Sequence, residues 1–143
     1  MRLLSKSSTV ILLLAVCCCL RSQEPTSTTI QVQVLNAKTG RPVAHEGVNV
    51  DFKDVRGVPA FQTDALGIAT VAVKSGDRVW VATNWWVTCR DMHTGEADYI
   101  PVERILQEGF VVNNTCGKAR TESMRGRITI FARKRTLIEG LKS

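Results

Sequence analysis

Between residues 29 and 132 the chain consists of short apolar-polar alternating runs separated by turn residues. The clearest run is 29–34, in which Ile30, Val32 and Val34 fall on one face and glutamines on the other. Side chains along a β-strand point alternately to opposite faces, so such a run predicts a strand with one face in the core. The predicted strands are 29–34, 47–52, 68–73, 78–89, 110–112 and 127–132. Short strands between turns predict an antiparallel β-sandwich of about seven strands.

One segment has helical rather than strand spacing. Val102 and Ile105 recur at the interval that places both on one face of an α-helix. Pro101 suits the first turn of that helix, and Gly109 suits its C-terminal cap. We therefore expect one short helix over residues 101–108, packed on the strands.

Residues 1–22 have the organisation of a secretory signal peptide. Arg2 and Lys6 precede an unbroken run of 11 apolar residues over 10–20. A transmembrane helix needs about 20 apolar residues, so this run is too short to span a bilayer and instead fits a signal sequence. We expect export to the periplasm or the cell exterior, with a mature chain that begins near Gln23.

The same segment also leaves a lipid anchor open. Cys17, Cys18 and Cys19 lie where a bacterial lipoprotein carries its lipidated cysteine. The residue before such a cysteine is normally small, and Val16 is not. Free export is therefore favoured, and a lipoprotein anchored in the outer membrane is the alternative.

The rest of the chain divides into three parts. Residues 23–28 form a flexible polar leader, 29–133 the β-sandwich domain, and 134–143 a basic tail that we expect to be loosely held. After residue 117, eight basic residues face only two acidic ones. This charge permits contact with anionic lipid, polysaccharide or nucleic acid, although a solvated edge is the simpler interpretation. Export argues against nucleic acid.

Cys89 and Cys116 are the two cysteines outside the predicted signal peptide. Two cysteines in an exported domain of this size are expected to form one disulfide. That bond argues against Cys89 and His93 as nucleophile and base, because a nucleophilic thiol must be free. A zinc site that adds His45 lacks the paired short spacing of structural zinc ligands. No metal or cofactor is predicted.

Trp80, Trp85 and Trp86 carry the strongest binding hypothesis. If residues 78–89 form one continuous strand, Trp85 faces the core with Val81, and Trp80 and Trp86 share the outer face. Exposed indoles stack on sugar rings or fill protein interfaces. We therefore expect Trp80 and Trp86 either to form a recognition surface or to be covered by the predicted helix or the tail.

Other polar residues have ordinary structural interpretations. Glu46, Asp51, Asp54 and Asp64 lie on strands or in turns where carboxylates are favoured, and no EF-hand spacing occurs. The run Asn113-Asn-Thr-Cys116 contains a glycosylation sequon, which matters only in a eukaryotic secretory pathway. The sequence therefore predicts no catalytic residue.

Two turns carry a resemblance to a known family. Thr39-Gly-Arg-Pro-Val43 and Thr63-Asp-Ala-Leu-Gly67 each lie between predicted strands. Through this order of strand, turn, strand, turn and strand, residues 30–83 resemble the carboxypeptidase regulatory-like domain, a seven-strand sandwich of the transthyretin-like type. Residues 101–139 resemble the end of small exported bacterial proteins of that class. The resemblance implies a domain that accompanies or supports another protein and does not catalyse a reaction.

Together these features predict an exported, non-catalytic module for binding or structural support at the cell envelope. Its partner is expected to be a protein or a glycan, with a protein favoured. The alternative class is a small exported hydrolase or metal-binding protein. That class requires a concave cluster of convergent polar groups, which distinguishes it from a binding module.

Overall fold

The computed structural model describes residues 28–55, 57, 59–91 and 99–140. The predicted signal peptide with its cysteines, the leader up to residue 27, and His93 lie outside the described residues. Within the described ranges, no helix is long and apolar enough to cross a membrane. The elements there are β1 Thr28–Asn36, β2 Gly47–Phe52, β3 Ala60–Gln62, β4 Ile68–Val73, β5 Arg78–Thr83, β6 Val87–Thr88, β7 Ile100–Pro101, α1 Val102–Glu108, β8 Phe110–Val111, β9 Arg127–Arg133 and α2 Leu137–Gly140.

The strands form two sheets. The first has the order β4-β1-β9-β6, with β8 also paired to β9, and the second has the order β3-β2-β5-β7. The prediction of a mostly β architecture with two sheets is confirmed. Helix α1 is also confirmed, and it begins one residue later than the sequence pattern indicated.

The first sheet is mixed, whereas the sequence pattern predicted antiparallel pairing throughout. β1 and β9 run parallel, from Gln31 opposite Arg127 to Asn36 opposite Ala132, and β8 also runs parallel to β9. β9 is buried without a break from Ile128 to Ala132. A strand covered on both faces is typical of parallel pairing, and apolar alternation carries no information on strand direction. The described residues also form nine strands rather than about seven.

The main core lies between the two sheets, where the alternation predicted it. Ile30, Val32 and Val34 of β1 are fully buried and join the inward residues of β2, β4, β5 and β9 in one cluster. Val102 and Ile105 of α1 belong to the same cluster. Burial of each such side chain contributes about 1.5–3 kcal/mol, so this cluster is the main support of the fold.

A second, smaller apolar cluster lies on the opposite face of the first sheet. Leu35, Ala37, Phe131 and Cys89 are buried there, and Cys116 packs against them. The predicted disulfide between Cys89 and Cys116 is confirmed, with a Cα–Cα distance of 5.4 Å. The bond joins the end of β6 to the segment between β8 and β9, which covers this face.

The covering segment approaches the sheet closely at Gly117. A Cβ atom at this position would lie 2.1 Å from the carbonyl oxygen of Ala37, so a larger residue does not fit. Asn114 secures the same contact, because its Nδ2 donates hydrogen bonds to the carbonyl oxygens of Ala37 at 2.8 Å and Ala119 at 3.1 Å. Asn114 is buried with its amide engaged and so has a structural role, whereas Asn113, the first residue of the Asn-x-Thr sequon, is exposed.

Candidate binding site

The predicted long strand over 78–89 is interrupted at residues 84–86. β5 ends at Thr83 in the second sheet, the chain bends, and β6 begins at Val87 in the first sheet. The chain therefore crosses from one sheet to the other at this bend. The prediction that Trp85 faces the core is wrong, because its side chain is 55% exposed. A bend between two short strands breaks the alternation on which that prediction depended.

The carboxylate of Glu46 holds the bend in place. Its Oε1 accepts hydrogen bonds from the backbone N–H groups of Asn84, Trp85 and Trp86 at 3.1, 2.7 and 3.0 Å. Glu46 is only 1% exposed. The N–H of Asn84 also donates to the carbonyl oxygen of Gly47 in β2 at 2.7 Å. The N–H groups of Trp85 and Trp86 point to the carboxylate instead of to a neighbouring strand, so the regular pairing of β5 ends here. The sequence pattern around Glu46 predicted an ordinary carboxylate on a strand or in a turn and gave no sign of this role.

Glu46 is itself fixed by the turn that begins at Thr63. Its N–H donates to Oγ1 of Thr63 at 2.9 Å, and its carbonyl oxygen accepts from the N–H of Thr63 at 2.9 Å. The Thr63 hydroxyl donates in turn to the carbonyl oxygen of Val43 at 2.8 Å. A Cβ atom on Gly47 would lie 2.9 Å from Cβ of Asn84. The turn and the tryptophan bend therefore form one connected structure.

A groove lies beside this bend. Trp80 points outward from β5 between the buried Val79 and Val81, as the alternation predicted. Trp86 lines the same groove and also packs against the edge of the main core. Both indoles are partly exposed. The groove encloses about 300 Å³ and is called the tryptophan groove below; its lining includes Trp80, Ala82, Trp86, Arg90, Arg135 and Glu139.

Basic side chains surround the two indoles. The guanidinium carbon of Arg90 lies 4.1 Å from the centroid of the Trp80 ring, and Nζ of Lys134 lies 5.9 Å from that of Trp86. Both distances are within the range of a cation–π interaction. Arg135 lines the groove and donates from Nη2 to a carbonyl oxygen of the bend at 3.0 Å. The groove is therefore both aromatic and cationic.

The C-terminal tail reaches the groove through a capped helical turn. The N–H and hydroxyl groups of Thr136 both donate to Oε2 of Glu139 at 2.9 Å, and the N–H of Glu139 donates back to the carbonyl oxygen of Thr136 at 3.1 Å. Arg133 donates to both carboxylate oxygens of Glu139 at 2.8 and 2.6 Å. This part of the tail thus has defined contacts, and the prediction of a loosely held tail is wrong for it.

We expect the tail contact to be lost in acid. Hydrogen bonds from Arg133, followed by those from Thr136, hold the pKa of Glu139 far below the ordinary glutamate range. A carboxyl group with a lowered pKa stabilises the folded state above its ordinary pKa, and this contribution disappears as the pH falls through the lowered value. Tryptophan fluorescence titrated from neutral pH into strong acid should therefore show a transition that Glu139→Gln lacks. The same transition in that variant would assign the signal to another group.

The other candidate polar residues do not converge on one place. Asp51 accepts a hydrogen bond from the hydroxyl of Tyr99 at 2.5 Å, and Asp64 accepts from two backbone N–H groups of its own turn. In the described part of the chain, no three His, Cys, Asp or Glu side chains are grouped as metal ligands. Cys89 is bonded to another cysteine, so it provides no free thiol.

Comparisons with known proteins give no relative from which a role could be transferred. No protein-family model matches the chain, and neither the curated proteins nor the solved structures contain a match. The tryptophan groove is therefore the basis for proposing a function.

Proposed function

We propose that this protein is an exported, non-catalytic β-sandwich module that binds a partner at the cell envelope through the tryptophan groove. The observation that carries this proposal is the pair of partly exposed indoles, Trp80 and Trp86, in a groove anchored by the buried Glu46. Tryptophan and arginine are the residues most enriched at the energetic centres of protein interfaces. A bend that is already held in place also reduces the ordering cost of binding.

The chemistry of the groove supports binding rather than catalysis. The hydroxyls of Thr83 and Thr88 are hydrogen-bonded to each other at 2.8 Å. The carboxylate of Glu139 is occupied by Arg133 and Thr136, and its pKa is held too low for proton transfer near neutral pH. A general acid or base needs a pKa near the working pH. No observation on the described residues favours the alternative of a hydrolase or a metal-binding protein.

Export is supported by the pattern of residues 1–22 and by the disulfide. Disulfides persist in oxidising compartments and are rare where thiols are kept reduced. A freely exported form would be periplasmic or extracellular and would begin near Gln23. A form lipidated at Cys17, Cys18 or Cys19 would be held at the outer membrane.

We also propose that the sandwich is a variant of the carboxypeptidase regulatory-like, transthyretin-type arrangement. Support comes from the glycines of the two turn motifs, Gly40 and Gly67, whose φ angles of 70° and 71° are those that such turns require. The parallel pairing of β1 with β9 differs from the antiparallel seven-strand arrangement implied by the resemblance. This difference is why we propose a variant.

Photo-crosslinking at Trp85 in producing cells tests the proposed function. This side chain is 55% exposed and adjoins the groove residue Trp86, so a photoreactive phenylalanine derivative at 85 should capture one defined envelope partner. Met124 offers a matched control, because it is 53% exposed and lies just before the start of β9. The groove is reached from the opposite end of β9, through the tail. The same derivative at 124 should not give that product. Absence of a product at 85, or equal capture at both positions, would contradict the proposal.

A further inference from the structure

We infer that the tryptophan groove binds an acidic, extended peptide segment of a protein partner. This inference rests on the proposed function and specifies the chemistry of the ligand. Three cations, Arg90, Lys134 and Arg135, lie around the two indoles. Among the described residues that line the groove, one side chain, that of Glu139, is acidic.

Glu139 does not offset this positive charge, because Arg133 neutralises it from outside the groove lining. Arg133 bonds both of its carboxylate oxygens, at 2.8 and 2.6 Å. Lys134 and Arg135 therefore leave the described part of this surface positively charged.

The hydrogen-bonding groups of the groove favour carboxylates over neutral sugars. Guanidinium and ammonium groups donate hydrogen bonds and cannot accept them. The hydroxyls of Thr83 and Thr88 are engaged with each other, and Oγ1 of Thr83 also donates to the carbonyl oxygen of Trp86 at 2.9 Å. A sugar hydroxyl needs acceptors as well as donors, whereas a carboxylate needs only donors.

The aromatic surfaces favour a peptide over an acidic polysaccharide. Arg90 lies over the Trp80 ring at 4.1 Å, and Lys134 lies over the second indole, so these ring faces meet cations instead of standing open to a sugar ring. Ala82 and Val87 add aliphatic side chains to the lining of the groove. An extended peptide presents side chains alternately on two sides, so acidic and apolar residues can reach different parts of this groove.

Binding of a fluorescein-labelled copolymer of glutamate and tyrosine, followed by anisotropy, tests the inference. The full protein as the cell produces it is used, with its disulfide intact. Arg135→Glu should weaken binding about tenfold, because it replaces an attraction by a repulsion at the groove. Lys38→Glu is the matched control, since Lys38 is also exposed but lies outside the groove, and it should change the affinity by less than about twofold. Lys134→Glu should reproduce the effect of Arg135→Glu.

Other outcomes would overturn the inference in distinct ways. Equal weakening by the variants at 135 and 38 would mean that only net charge matters. Stronger binding of a polyuronate than of the copolymer, still sensitive to Arg135→Glu, would replace the peptide by an acidic glycan in the same groove. If no anionic polymer binds while position 85 still crosslinks to a partner in cells, the acidic ligand is wrong and the proposed function stands. Failure of both experiments contradicts both proposals.

Discussion

Replacing Glu46 with Ala should lower the free energy of unfolding by about 3 kcal/mol. Each hydrogen bond to a charged group contributes about 1.5–3 kcal/mol, and Oε1 of Glu46 accepts three of them. The total loss is smaller than their sum because the N–H groups of the bend lie near the surface and regain water. Urea unfolding of both proteins measures the difference.

Glu46→Gln is the matched control for this prediction. The amide keeps one oxygen where Oε1 accepts its three hydrogen bonds but removes the charge, so the loss should be about 1–2 kcal/mol. The Ala variant should also give greater quenching of Trp86 by acrylamide, because the bend that places this indole against the core edge is no longer held. An Ala variant within about 0.5 kcal/mol of the natural protein, the range of an ordinary surface substitution, would show that the bend forms without the carboxylate.

Removing the disulfide with Cys89→Ser and Cys116→Ser together should cost about 3–4 kcal/mol, because the unfolded chain gains the entropy of an open loop of about 28 residues. Chemical reduction of the natural protein should produce the same loss. Comparing urea midpoints with and without reductant, for the natural protein and the double variant, separates the bond from the side chains. A double variant that remains sensitive to reductant, or a natural protein that is insensitive, would contradict this assignment.

The main core and helix α1 could be predicted from sequence because they depend on local information. Alternation along β1 identified Ile30, Val32 and Val34 as inward residues, and all three are fully buried. The spacing of Val102 and Ile105 located α1. The disulfide could be predicted because the chain has two cysteines after residue 22, and these can pair with each other in one way.

The bend at 84–86 could not be predicted from the local sequence pattern. The carboxylate that holds it belongs to Glu46, which lies 38 residues before Asn84 in the chain. Valine and tryptophan favour strands, so residues 78–89 have the composition of one long strand. The length of that run was the one sign of an interruption, since strands average about 5–6 residues and the run is about twice as long. The direction of β9 was equally hidden, because a strand buried on both faces has no alternation to interpret.

Because the chain crosses from one sheet to the other at the bend, the tryptophan groove is lined by residues of both sheets. Trp80 belongs to β5 of the second sheet, whereas Val87 belongs to β6 of the first. The width of the groove therefore depends on the distance and angle between the two layers, which the buried valines and isoleucines determine. Substitutions deep in the core that shift one layer against the other would change the width of the groove, although they touch no groove residue. The affinity for the proposed ligand should therefore respond to core packing.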